Sequence, residues 1–158
     1  MQYNNNFSSP NFDHGLNDIR FIILHYTELS FKDALDILCN KDSKVSAHYL
    51  IKEDGEIYHL VDDNKIAWHA GVSYWQGFEK LNNHSIGIEL DNLGDEPFKA
   101  KQIDACIELC KQLIKKYNIN PQNVIAHSDI APDRKIDPGI FFNWAKFAQN
   151  GIGLWSRS

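Results

Sequence analysis

Over residues 99–117 an apolar stripe recurs at three- and four-residue intervals, through Ile103, Cys106, Ile107, Cys110, Leu113, Ile114 and Tyr117. Asn118 and Pro121 close the segment. That spacing predicts an amphipathic helix of about five turns, whose one hydrophobic face must be buried against something else. The partners on offer are short β-prone runs: Phe21-Ile22-Ile23-Leu24, Ser85 to Leu90, and Val124-Ala126. They read as buried strands. In the Ser85 run, alternation puts Ile86, Ile88 and Leu90 on one side and Gly87 and Glu89 on the other. Ala47 to Ile51 and Glu56 to Val61, joined at Asp54-Gly55, predict an antiparallel hairpin. Ser30 with Asp33 three residues on opens a second helix, in which Phe31, Ala34, Leu35 and Leu38 hold helical spacing. A last helix is expected over Ile140 to Gln149. Asp62 to Leu81 has no sustained period and reads as an ordered loop. Ser128 to Gly139, with Pro132 and Pro138, reads as irregular. Alternating strands and helices make this an α/β chain, a single domain with a central mixed β-sheet and flanking α-helices.

The 158 residues, 43% hydrophobic and 23% charged, suit one core. The expected division is a polar N-terminal leader, 1–18, followed by one folded domain, 19–158. A net charge of −5 without a lysine or arginine run argues against a nucleic-acid partner. No uninterrupted apolar run reaches the length of a membrane-spanning helix. Residues 1–15 have neither a positive n-region nor an apolar h-region, so the expected location is the cytoplasm, with the periplasm or another export route as the alternative. The three cysteines, Cys39, Cys106 and Cys110, contain no C-x-x-C spacing and read as small buried hydrophobes.

Two of the predicted strands end in histidine, His25 and His127. Ten residues after His127 lies Asp137, in a loop whose prolines and glycine would hold a carboxylate in a fixed direction. Two histidines and an aspartate suit catalytic zinc, which takes three protein ligands and keeps a fourth position for water. The opposing reading is chance, since a chain with seven histidines will place some near strand ends. Spacing alone does not decide between the two.

A wider pattern bears on the choice. Leu24-His25-Tyr26-Thr27, Ser46-Ala47-His48-Tyr49-Leu50, Ala67-Trp68-His69-Ala70-Gly71, Ser85 to Leu90, Ala126-His127-Ser128-Asp129-Ile130-Ala131-Pro132, Arg134-Lys135 and Asp137-Pro138-Gly139 occur in this order. Together they resemble the type 2 N-acetylmuramoyl-L-alanine amidases over nearly the whole chain. The resemblance implies one catalytic Zn2+ held by His25, His127 and Asp137, Glu89 as general base, and Lys135 as the residue that stabilises the transition state. It also implies a peptidoglycan-fragment substrate, cut between N-acetylmuramic acid, ordinary or 1,6-anhydro, and L-alanine, with residues 19–158 as the catalytic domain. A monomer is expected.

The fold of that family also occurs in peptidoglycan recognition proteins, some of which lack a zinc ligand and only bind. No ligand position is lost here, which disfavours such a binding module. Relatives of that kind carry a catalytic tyrosine just before the position of His48, where this chain has Ala47, which points to the branch that uses Glu89. Within the branch, Trp68 to Gly77, Leu81-Asn82-Asn83 and the ending Gly151-Ile152-Gly153-Leu154-Trp155 look more like the exported amidases than the cytosolic recycling enzymes. For substrate contacts, Trp68, Tyr74 and Trp75 offer flat faces, and Lys80, Asn82 and Arg134 offer groups for carboxylates or an acetamido group. His48 and His69 are further candidates on the substrate side. His14, His59 and His84 read as structural or surface residues.

Overall fold

The computed structural model describes residues 1–154; Trp155, and with it the last position of the ending noted above, lies outside the described residues. In chain order the elements are β1 (Phe12–Asp13), β2 (Phe21–Tyr26), α1 (Phe31–Cys39), β3 (Tyr49–Ile51), β4 (Ile57–His59), β5 (Ile66–Ala67), β6 (Tyr74–Trp75), β7 (Phe78–Glu79), β8 (Ser85–Leu90), α2 (Ala100–Tyr117), β9 (Val124–Ala126), α3 (His127–Ile130) and α4 (Trp144–Gln149). The central sheet has the order β4-β3-β8-β2-β9. It is mixed: β3, β8, β2 and β9 run parallel, and β4 returns antiparallel to β3 through the Asp54-Gly55 turn.

The two faces of this sheet do different work. Ile22, Leu24, Ile86, Ile88, Leu90 and Val124 point to one side and pack against Ile103, Cys106, Ile107, Cys110 and Leu113 of α2. At roughly 1.5–3 kcal/mol for each large side chain withdrawn from water, this layer is the main source of stability. The α2 stripe thus lies where its period places it, and the helix stops where Asn118 takes a left-handed conformation at φ 54°. Cys106 and Cys110 are buried core residues and Cys39 is half-buried; all three are free. On the opposite face Phe21, Ile23 and Ile125 pack under Leu81 and Ile130, while Leu50 joins Leu35 and Leu38 of α1. Ser30 caps α1, its side chain accepting from the Asp33 N–H.

Several elements depart from the sequence expectation. The polar segment before residue 19 is woven into the domain. β1 pairs with β5, Asn4 bridges to Tyr58, and the Asn17 side chain donates to the carbonyls of Asp63 (2.8 Å) and Ser85 (3.0 Å). Asparagine side chains here satisfy buried carbonyls, a task that a polar composition conceals. Residues 62–81 hold β5 and a small hairpin, β6 with β7, turning at Gln76 and Gly77, both at positive φ. Residues 127–130 form one turn of helix inside the stretch expected to be irregular. The last helix starts at Trp144, capped by Asn143, because Ile140 and Phe141 face solvent.

Candidate active site

The sheet delivers its polar side chains at the carboxyl ends of the parallel strands, where open α/β sheets bind ligands. His25 on β2 is the direct register partner of Glu89 on β8. On the other side Leu24 pairs with Ala126 of β9, so the next residue, His127, falls beside His25. One rung of the sheet therefore carries Glu89, His25 and His127 side by side. Asp137 reaches the same point from the loop after α3, which is tied back by a 3.0 Å hydrogen bond from the Ser128 N–H to the Asp137 carbonyl.

His25 Nδ1 lies 3.0 Å from His127 Nδ1 and 3.0 Å from Asp137 Oδ2, and His127 Nδ1 lies 3.2 Å from the same oxygen. The tautomers follow from the outer nitrogens. His127 Nε2 is 2.9 Å from the Ala70 carbonyl, which can only accept, so the proton sits on Nε2 and Nδ1 keeps its lone pair. His25 Nε2 faces His69 Nδ1 at 3.0 Å. His25 Nδ1, His127 Nδ1 and Asp137 Oδ2 thus converge on one point. Tetrahedral zinc with donors at about 2.0–2.1 Å spaces them roughly 3.3 Å apart, so this donor set fits the ion and leaves one side of it open. Burial keeps the His25 imidazole neutral despite its contact with Asp137. Neutral imidazole and ionised carboxylate are the forms that bind metal.

Glu89 is half-buried, its Oε2 atom withdrawn from solvent and without a hydrogen-bond partner among the described residues. Burial, reinforced by the Asp137 charge, pushes its carboxyl well above the ordinary value, and Lys135 opposes the shift. A carboxyl with a raised pKa in a cleft is a candidate proton acceptor and donor. The cleft, of about 510 Å³, has His25, Glu89, His127 and Asp137 at its base. Arg134, Lys135 and Ile136 line it as well, as do Ala34, Ile37, Leu38, Val45 and Trp68.

The remaining substrate-side candidates divide. Trp68 and Arg134 line the cleft, although one Arg134 nitrogen is committed to the Ala70 and Val72 carbonyls, both at 2.9 Å. His48, Lys80 and Asn82 are not among the lining residues. His48 is fully buried between two backbone groups: its Nε2 donates to the Lys65 carbonyl at 2.8 Å and its Nδ1 accepts from the Gly87 N–H at 3.1 Å. Lys80 is an exposed residue in left-handed conformation at the start of the Leu81–His84 turn. Asn82 turns its Oδ1 to the N–H groups of His69 (3.0 Å) and Ala70 (2.8 Å). Tyr74 and Trp75 sit on the β6–β7 hairpin, Tyr74 exposed and Trp75 packed on the core. His69 touches the cleft but spends both ring nitrogens on protein partners. Sequence reasoning missed the α1 side of the cleft, whose apolar residues carry no chemical signal.

Residues 15–140 match the profile of a protein family described as N-acetylmuramoyl-L-alanine amidase. This chain belongs to that family, and to its type 2 members. N-acetylmuramoyl-L-alanine amidase AmiD of Escherichia coli is 44% identical over 153 residues, 87% of this chain but only 55% of AmiD. The 1,6-anhydro-N-acetylmuramyl-L-alanine amidase AmpD of Haemophilus influenzae is 38% identical over 160 residues, covering 88% of this chain and 87% of its own length. Among solved structures, E. coli AmiD in complex with the substrate anhydro-N-acetylmuramic acid-L-Ala-D-gamma-Glu-L-Lys superposes with a TM-score of 0.84 at 42% identity, over 92% of this chain and 62% of that one. The amidase fold of a single domain with a central mixed sheet is thereby shared. Among the described residues no helix is long and apolar enough to cross a membrane.

Proposed function

We propose that this amidase-family chain hydrolyses the amide between N-acetylmuramic acid, in its 1,6-anhydro or ordinary form, and L-alanine in peptidoglycan fragments, using one zinc ion. The observation that carries the reading is the single rung of His25, His127 and Glu89, with Asp137 closing the donor triangle. The substrates named for AmiD and AmpD support it.

His25, His127 and Asp137 would hold the zinc, which lowers the pKa of water toward about 7 and polarises a carbonyl. Glu89, half-buried beside His25, takes the proton of the attacking water and returns it to the L-alanine nitrogen as that bond breaks. Its raised pKa suits a group that must hold the proton between those two events. Lys135, whose charge reaches both Glu89 and His25, offsets the negative charge on the carbonyl oxygen. Trp68 and Arg134, which line the cleft, position the sugar and the peptide stem.

The test is mass-spectrometric product analysis with 1,6-anhydro-N-acetylmuramyl tripeptide and N-acetylmuramyl tripeptide in parallel. Free sugar and free peptide are expected, lost on chelation, and the ratio between substrates sets the sugar preference. No cleavage of either by zinc-loaded protein would overturn the reading and leave a peptidoglycan-binding module.

A further inference from the structure

The Trp68–Gly71 segment meets both metal-site histidines on the side away from the donor triangle, and its hydrogen bonds have only one consistent direction. Ser85 Oγ lies 2.6 Å from the Leu81 carbonyl, which cannot donate, so the one hydroxyl proton is used there. Ser85 Oγ therefore accepts from His69 Nε2–H at 3.1 Å. That leaves His69 Nδ1 as an acceptor, and it lies 3.0 Å from His25 Nε2. His25 must then carry its proton on Nε2 and its lone pair on Nδ1, facing Asp137 and His127. One residue further on, the Ala70 carbonyl does the same for His127. The two backbone N–H groups of this pair, His69 and Ala70, are clamped by one atom, Asn82 Oδ1. The His69 ring is seated where β8 has no side chain: a Cβ on Gly87 would fall 2.5 Å from His69 Cγ.

We propose that His69 is a positioning residue for the metal centre, fixing the tautomer and orientation of His25 through the relay His25 Nε2–H to His69 Nδ1, His69 Nε2–H to Ser85 Oγ, and Ser85 Oγ–H to the Leu81 carbonyl. The inference rests on the zinc reading above. Partners of this kind raise ligand basicity, and their loss typically costs about 10–100-fold in metal affinity.

The experiment measures zinc affinity by competition with a chromophoric chelator, alongside thermal unfolding of the metal-free protein. His69→Leu keeps the branched shape but removes the acceptor; His69→Asn puts an amide oxygen near the place of Nδ1. Zinc affinity is expected to fall about 10–100-fold in His69→Leu and to recover most of that loss in His69→Asn. Nitrogen-15 NMR of the metal-free wild type is expected to show His25 as the Nε2–H tautomer, and His69→Leu a mixture. Equal affinity in wild type and His69→Leu, or an equal loss in both variants, would overturn the proposal, since the second outcome means that the ring only fills space. If His69→Leu does not fold, the wild-type tautomer and the His69→Asn affinity still decide. Failure of the wild type itself to bind zinc would instead sink the metal reading on which this rests.

Discussion

His25 and Glu89 sit opposite one another in the register of two adjacent parallel strands, so a ligand-type imidazole and a half-buried carboxylate share one rung of the sheet. The spacing between the proposed metal ligand and the proposed proton acceptor is thereby set by backbone pairing rather than by a loop. Glu89→Gln, which keeps size and removes the base, is expected to lower turnover about 10²–10⁴-fold while zinc content stays at the wild-type level. Lys135→Ala is expected to lose about 10²–10³-fold. Steady-state kinetics with metal analysis checks both; wild-type turnover in either variant would remove that residue from its role.

Gly87 separates two histidines: its N–H and carbonyl bond His48, while its missing side chain admits the ring of His69. Gly87→Ala must push that ring aside. It is expected to destabilise the protein by about 1–3 kcal/mol, as overpacking does, and to weaken zinc binding as well. Unfolding in urea and chelator competition measure the two effects, and a variant unchanged in both would show that His69 has room to spare.

Burial lowers the His48 imidazole to about 4, against a smaller opposing effect from the Lys65 carbonyl. The unfolded chain binds a proton near pH 6.5 that the folded chain refuses until about pH 4, so between those values stability rises with pH. The contribution is fully present above pH 6.5 and shrinks by roughly 2 kcal/mol between pH 7 and pH 5. His48→Gln, which does not titrate, is expected to show a shallower fall over that range. Urea midpoints at the two pH values test this; identical slopes in both proteins would contradict it.

Asp63 ties β3, β4 and the end of α2 together. It accepts from the hydroxyls of Tyr49 at 2.6 Å and Tyr117 at 2.5 Å, and faces His59 Nε2 at 3.2 Å. Burial pushes its carboxyl up, but the bonds from His59, Tyr117 and Tyr49 prevail and hold it at about 2. Its stabilising contribution is therefore complete above the unfolded value near pH 4 and disappears as pH falls through 2. Asp63→Ala orphans two tyrosine hydroxyls and is expected to cost roughly 2–4 kcal/mol. A loss below 1 kcal/mol in urea unfolding would show that the phenols find other partners.

The α2 stripe, the alternation of Ser85 to Leu90 and the Asp54-Gly55 turn were legible because each is a local pattern with one period. His25, His127 and Asp137 were legible only as a set, through motifs that resemble a known family, since 112 positions separate His25 from Asp137. What the sequence could not disclose is where side chains turn. His48 and Asn82 stand within or beside recognisable motifs, yet face backbone groups rather than the cleft. The weaving of residues 4–17 was hidden because asparagine satisfies a buried carbonyl and a solvated loop equally well. Ile140 and Phe141 misled because they are apolar and exposed together.

The most direct test of the central claim, that one zinc ion held by His25, His127 and Asp137 carries amide hydrolysis, is a titration of zinc into metal-free protein with product formation from the anhydromuramyl tripeptide followed at each step. Activity is expected to rise linearly, to break at one equivalent of zinc, and to be absent throughout in Asp137→Ala. Full activity before any zinc is added, or full activity in Asp137→Ala, would contradict it.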